Sequence, residues 1–146
     1  YIAYSEFMKR YAPEQNIEMS SIQQQPRISG DLANMIQMND LEDIDYSVNF
    51  RPEVEMQIIL DQAASTEDVA RYRTISNCNN GQKLLMYRDS FTTALIPYMS
   101  KTFDEAYYVW SYSANKDEIS EEKPDVVILE IVERSIKQLA YVEWNM

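Results

Sequence analysis

Residues 84–95 read LLMYRDSFTTAL, and the parsing of that stretch decides the fold. With Lys83 it opens on KLLMY, a short unbroken apolar run, and NNG stands just before it at 79–81. An apolar run of this length behind turn residues predicts a strand buried on both faces. Directly after it, Phe91, Ala94, Leu95, Tyr98 and Met99 recur at three-and-four spacing, which predicts an amphipathic helix. Downstream, FDEAYYVW (103–110) is aromatic and β-prone, and SYSANKDEISEE (111–122) reads as a polar loop. PDVVILEIV (124–132) reads as another buried strand, and ERSIKQLAYV (133–142) as the start of a final helix. Strands and helices alternating over short connections predict an α/β fold with a central, mainly parallel sheet covered on both faces. Right-handed crossovers then set these strands side by side.

The first half is less regular. YIAYSEFMKRY (1–11) reads as a helix stopped by Pro13, and residues 14–27 as a polar, irregular segment. SGDLANMIQM (29–38) offers Ser29 or Asp31 as a cap for a short helix bearing Leu32, Met35 and Ile36. DYSVNF (45–50), MQIIL (56–60) and RYRTIS (71–76) suggest extended pieces, so the middle third reads as a small β-rich elaboration. No repeat or linker interrupts residues 1–146, which are expected to form one domain.

Composition narrows the function classes. The chain carries 24 acidic against 13 basic residues, a formal charge of −11, which disfavours nucleic acid and anionic lipid as partners. Between Asp31 and Asp68 the only basic residue is Arg51, and without a calcium-loop signature this reads as a solvated acidic face. No apolar run approaches a membrane span; the best, VVILEIV, is broken by Glu130. A single cysteine, Cys78 in SNCNNG, excludes an internal disulfide and a cysteine-based zinc cluster. The chain has no histidine, so no Cys–His or Ser–His pair exists within it. It opens on Tyr1 rather than Met, as a piece of a longer polypeptide would. No metal and no cofactor is called for.

At the junction of KLLMY with its helix stands Arg88-Asp89-Ser90. In open parallel sheets, ligands bind beyond the carboxyl ends of the strands, which is where this serine is expected. The N–H groups at a helix start could stabilise an oxyanion there. Asp89 and Ser90 are equally good N-cap residues, and Arg88 replaces the glycine of a G-x-S-x-G elbow. From these residues alone the serine is either a nucleophile or a cap.

LLMYRDSFTTALIPYMSKTFDEAYYVW and KPDVVILEIVERSI, with SGDLANMI upstream, resemble segments of the DHHW family of bacterial proteins. That family is similar to alginate O-acetyltransferases of the AlgX and AlgJ type, within the SGNH-hydrolase-like superfamily. The resemblance implies a three-layer SGNH-like fold, incomplete here at its amino end, in a cell-envelope or secreted protein. It makes Ser90 the residue that accepts an acyl group, with Arg88, Asp89 and Phe91 around the oxyanion. The family's Asp and His belong to a D-x-H-W-type motif upstream of a helix resembling residues 1–11, and this chain has no such motif.

The implied activity is esterase or O-acetyltransferase chemistry on a polysaccharide, with an acyl donor as second partner. The isolated chain is expected to be inactive for want of the base. Arg134 of the Glu133-Arg134 pair is a candidate for binding substrate, as are Trp110 and Tyr112. For Glu133 the preferred reading is a helix-start charge. The alternative is a non-catalytic carbohydrate- or partner-binding domain that keeps the fold. A purely structural module, binding through the acidic middle third, is the remaining rival.

Overall fold

The computed structural model describes residues 2–12, 22–28, 42–48, 50–60 and 71–141. The chain divides into two compact units, residues 1–52 and 53–146.

In the first unit, α1 (Ile2–Tyr11) buries Tyr4 and Met8, one turn apart on a single face, followed by Ala12. Tyr4 meets the buried Phe50 edge-on, with ring centres 5.0 Å apart. Strands β1 (Ile22–Ile28) and β2 (Glu42–Val48) pair antiparallel, in register from Ile22↔Val48 to Ile28↔Glu42. This corrects the reading of 14–27 as irregular over 22–27. Pro26 is compatible with pairing because both strands of a two-stranded sheet have an outer edge, where a missing N–H costs no ladder bond. The predicted helix in 29–38, with its candidate caps Ser29 and Asp31, lies outside the described residues.

The second unit is built on a five-stranded sheet of β3 (Met56–Leu60), β4 (Arg71–Ser76), β5 (Lys83–Arg88), β6 (Glu105–Trp110) and β7 (Val126–Leu129). Their order across the sheet is β3-β4-β6-β5-β7. β5 runs parallel to both β6 and β7, while β4 is antiparallel to β6 and to β3. Four strands therefore point one way and β4 alone opposes them, the mainly parallel α/β sheet expected. MQIIL and RYRTIS are the strands expected, and they extend this main sheet.

Alternation along β5 and β6 splits the core into two layers. On one face Leu85, Tyr87, Tyr107 and Val109 pack with Ala114, Ile119 and Leu129. On the other, Tyr108 stacks on Tyr72 at 5.0 Å and its hydroxyl meets Ser100 Oγ at 2.8 Å, all three residues being buried, as is Met86. β5 is buried from Leu84 to Arg88 because it is the strand with parallel neighbours on both sides.

Three expectations change. The helix after β5 is a 3₁₀ helix, Ser90–Ala94, followed by α2 (Ile96–Ser100) with Pro97 in its first turn. The three-residue period turns Thr92 inward and leaves Phe91 57% exposed, and the buried set becomes Thr92, Ile96, Met99 and Ser100. The polar loop at 111–122 contains α3 (Lys116–Glu122), capped by Asn115, whose Oδ1 accepts from the Asp117 and Glu118 N–H groups. Its acids are held by the sheet. Arg71 bonds Glu118 at 2.5 Å, and Arg73 takes Glu122 in a fork of 2.8 and 2.9 Å and also bonds Glu105. Lastly, β7 is only half-buried, with Val127 42% exposed, because it ends the described sheet. The last helix is present as a 3₁₀ helix, Glu133–Tyr141.

Candidate functional site

The chain leaves β5 for β6 on one side, then crosses to β7 on the other, so the strand order reverses at β5. In parallel sheets such a reversal is where a crevice opens, beyond the carboxyl end of the strand at which it occurs. Both neighbours are pinned there: the Ser111 N–H donates to Arg88 O at 3.2 Å and the Glu130 N–H to Tyr87 O at 2.9 Å. Ser90 is the first residue of the 3₁₀ helix that leaves this point, and it is exposed. Among the described residues its hydroxyl has no hydrogen-bond partner.

The cap of that helix is Asp89, which is 2% exposed. Its Oδ1 accepts from the Phe91 N–H at 2.8 Å and its Oδ2 from the Val132 N–H at 2.9 Å. Burial works to raise the Asp89 carboxyl. The bonds from the Phe91 and Val132 N–H groups, then the side-chain contact with Glu130 and the nearby charge of Arg134, outweigh it and hold the group below the usual aspartate range. With both oxygens engaged on backbone amides, Asp89 is a cap and not a base for Ser90. The Phe91 N–H is also spoken for, so it differs from the open oxyanion donor expected at that residue.

Glu130 completes the turn from the end of β7. Its Oε2 accepts from the Asp89 N–H at 3.1 Å and from Thr92 Oγ1 at 2.7 Å, and Thr92 is fully buried. Sequence reasoning passed over Glu130 and Thr92. The signal was present in Glu130, a charge at the end of an otherwise apolar strand, where a carboxylate needs partners.

Cations and aromatic rings surround this turn. Arg88, 4% exposed, places its guanidinium 4.8 Å from the Trp110 ring and 5.3 Å from the Tyr72 ring. It also donates to the Asp89 carbonyl at 3.2 Å. Trp110 is the register partner of Arg88 on β6 and stays 48% exposed. Arg134 lies over the exposed Phe91 ring at 5.6 Å. The structure thus gathers Arg88, Asp89, Ser90, Phe91, Trp110 and Arg134 at one end of the sheet. Tyr112 is partly buried two residues beyond β6, and among the described residues no hydrogen bond or ring contact joins it to Ser90. Glu133, exposed, is the first residue of the last helix.

The opposite end of the sheet carries a second polar knot. Asp104 accepts from Cys78 Sγ and the Asn80 N–H at 3.0 Å and from the Gly81 N–H at 2.8 Å. Burial pushes the Cys78 thiol up, away from the reactive thiolate. Asn79 and Gly81 carry the positive φ angles, 56° and 70°, that wrap the loop around the carboxylate. No cluster of metal-ligating residues occurs among the described residues.

No protein-family model and no curated protein sequence matches the chain. Two solved structures share its fold. A DHHW family protein from Eubacterium siraeum aligns with a TM-score of 0.54 at 12% identity, over 86% of this chain and 52% of that one. PatB1 of Bacillus cereus, solved with a sulfonyl adduct, aligns with a TM-score of 0.57 at 13% identity, over 87% and 53%. The chain therefore spans about half the length of each. The likeness is one of fold, an SGNH-like α/β architecture.

Proposed function

We propose that this chain supplies the nucleophile-bearing part of an SGNH-type serine esterase or O-acetyltransferase that acts on O-acetyl groups of a polysaccharide in the cell envelope. The observation that carries the reading is the position of Ser90. Its exposed hydroxyl, without a partner among the described residues, stands at the carboxyl end of β5, where the strand order reverses. The shared fold of the DHHW family protein and of PatB1 supports it.

In this reading Ser90 Oγ attacks the acyl carbonyl carbon, forming a new ester C–O bond, while its proton passes to a base. Collapse of the tetrahedral intermediate breaks the original ester C–O bond, and the proton goes to the departing alkoxide. Water or a sugar hydroxyl then takes the acyl group. Asp89 and Glu130 are already committed to the turn, and the chain has no histidine, so in this reading a histidine base would be supplied from outside these 146 residues. In this reading Arg134 and Trp110 contact the donor or the sugar.

The test supplies the missing base. With p-nitrophenyl acetate alone, the chain is expected to show no hydrolysis above a Ser90→Ala control, since loss of the base in such a site costs several orders of magnitude in rate. With imidazole added, peptide mass mapping is expected to find acetyl on Ser90, and none on that peptide in Ser90→Ala. Acetylation spread over other hydroxyls and lysines with no preference for Ser90 sinks the reading. A non-catalytic binding domain would give that result together with retention on an acetylated glycan.

A further inference from the structure

A single oxygen of Glu130 takes two bonds, and their donors lie on either side of Ser90 in the chain: the Asp89 N–H at 3.1 Å and Thr92 Oγ1 at 2.7 Å. In return, Asp89 sends its own carboxylate to the Val132 N–H at 2.9 Å. Each strand end thus grips the other. We propose that Glu130 is a positioning residue for Ser90, acting through Asp89 and Thr92 to fix the backbone that aims the hydroxyl out of the sheet. The proposal rests on Ser90 being the nucleophile.

Three features carry it. The Ser90 hydroxyl has no partner among the described residues, so the backbone from 89 to 92 sets where it starts from, and Glu130 clamps both ends of that stretch. The arrangement is also expensive as packing. A buried threonine hydroxyl and a carboxylate between strand ends cost more than apolar side chains of the same volume, and what they add is direction. Finally, charge argues for a geometric role. Negative charge developing on an acyl oxygen near Ser90 is disfavoured by the Asp89 and Glu130 carboxylates, while Arg88 and Arg134 beside the turn offset them. A carboxylate whose charge does not favour that oxyanion serves through its oxygen's position, and one amide oxygen can accept the same two bonds.

The prediction follows from that last point: glutamine should rescue and alanine should not. Amide hydrogen exchange is measured by NMR in the chain and in Glu130→Ala and Glu130→Gln, comparing Asp89 with the core amide of Leu85. Glu130→Ala is expected to speed exchange at Asp89 about tenfold with Leu85 unmoved, and Glu130→Gln to return it to within about threefold. In parallel, Ser90→Cys is made in a Cys78→Ser background and alkylated with iodoacetamide at a pH where the thiolate is fully formed. Glu130→Ala should change that limiting rate and Glu130→Gln restore it. Thr92→Val, which removes only one grip, should give a smaller change of the same kind, and it decides the matter if Glu130→Ala does not fold. Equal acceleration at Asp89 and Leu85, no acceleration, or a glutamine variant as impaired as alanine overturns the proposal. Failure of the nucleophile reading shows separately, as absent Ser90 acetylation in the imidazole experiment, with the exchange pattern intact.

Discussion

Replacing Asp89 by asparagine should remove a defined part of the stability and change its pH dependence. The carboxylate receives two backbone N–H groups, Phe91 at 2.8 Å and Val132 at 2.9 Å, one on each oxygen. An asparagine has one carbonyl oxygen and must turn its NH₂ toward the other donor. The loss is one charge-assisted hydrogen bond, about 1.5–3 kcal/mol. Asp89→Ala adds the loss of the helix cap and should cost about 2–4 kcal/mol in all. The folded-state carboxyl ionises below its ordinary value of 3.8, so on acidification the unfolded chain takes up this proton first. Its contribution to stability is therefore present in full above that ordinary value and is lost as pH falls through the folded value. Urea unfolding followed by circular dichroism at pH 7 and again near pH 3 measures both effects. The gap between native chain and Asp89→Asn should be widest at pH 7 and narrow in acid. A midpoint unchanged at pH 7, or a gap that does not shrink on acidification, would refute the assignment of Asp89 as an ionised clamp.

Other outcomes follow from single contacts. Tyr108→Phe leaves the buried Ser100 hydroxyl without its 2.8 Å partner and should destabilise by about 1–2 kcal/mol in the same urea assay. Lys123 ends α3 with a φ of 47°, and Lys123→Gly should raise stability by about 0.5–1 kcal/mol, seen as a higher melting temperature. Arg73→Met removes the fork to Glu122 and the bond to Glu105, and should cost about 1–2 kcal/mol, less in high salt because these side chains are part-exposed.

What the sequence determined by itself was the set of parallel strands and the place of Ser90. KLLMY and EAYYVW are apolar along their length because β5 and β6 have neighbours on both sides and cover on both faces, and such burial writes itself into consecutive residues. The junction at Arg88-Asp89-Ser90 was equally legible, since an apolar run that stops at cap residues marks a strand end and a helix start together. Helix α3 was not legible. Its one apolar anchor is Ile119, and the rest of its attachment is ionic, through Arg71 and Arg73 on β4, more than 40 residues away in the chain. Strand β1 was missed for a related reason, as IQQQPRI carries little strand character until β2 pairs with it.

Only the tertiary structure decided which polar groups serve the serine's turn. Local propensity accounts for Asp89 as a cap, because an aspartate before a helix is a property of neighbouring residues. That Glu130 and Val132 would close on the same turn depends on β7 lying beside β5, with Leu84↔Val126 in register. The physical reason is one of range: caps and apolar periods act within a few residues, whereas the strand order that joins residue 130 to residue 89 emerges only when the sheet assembles.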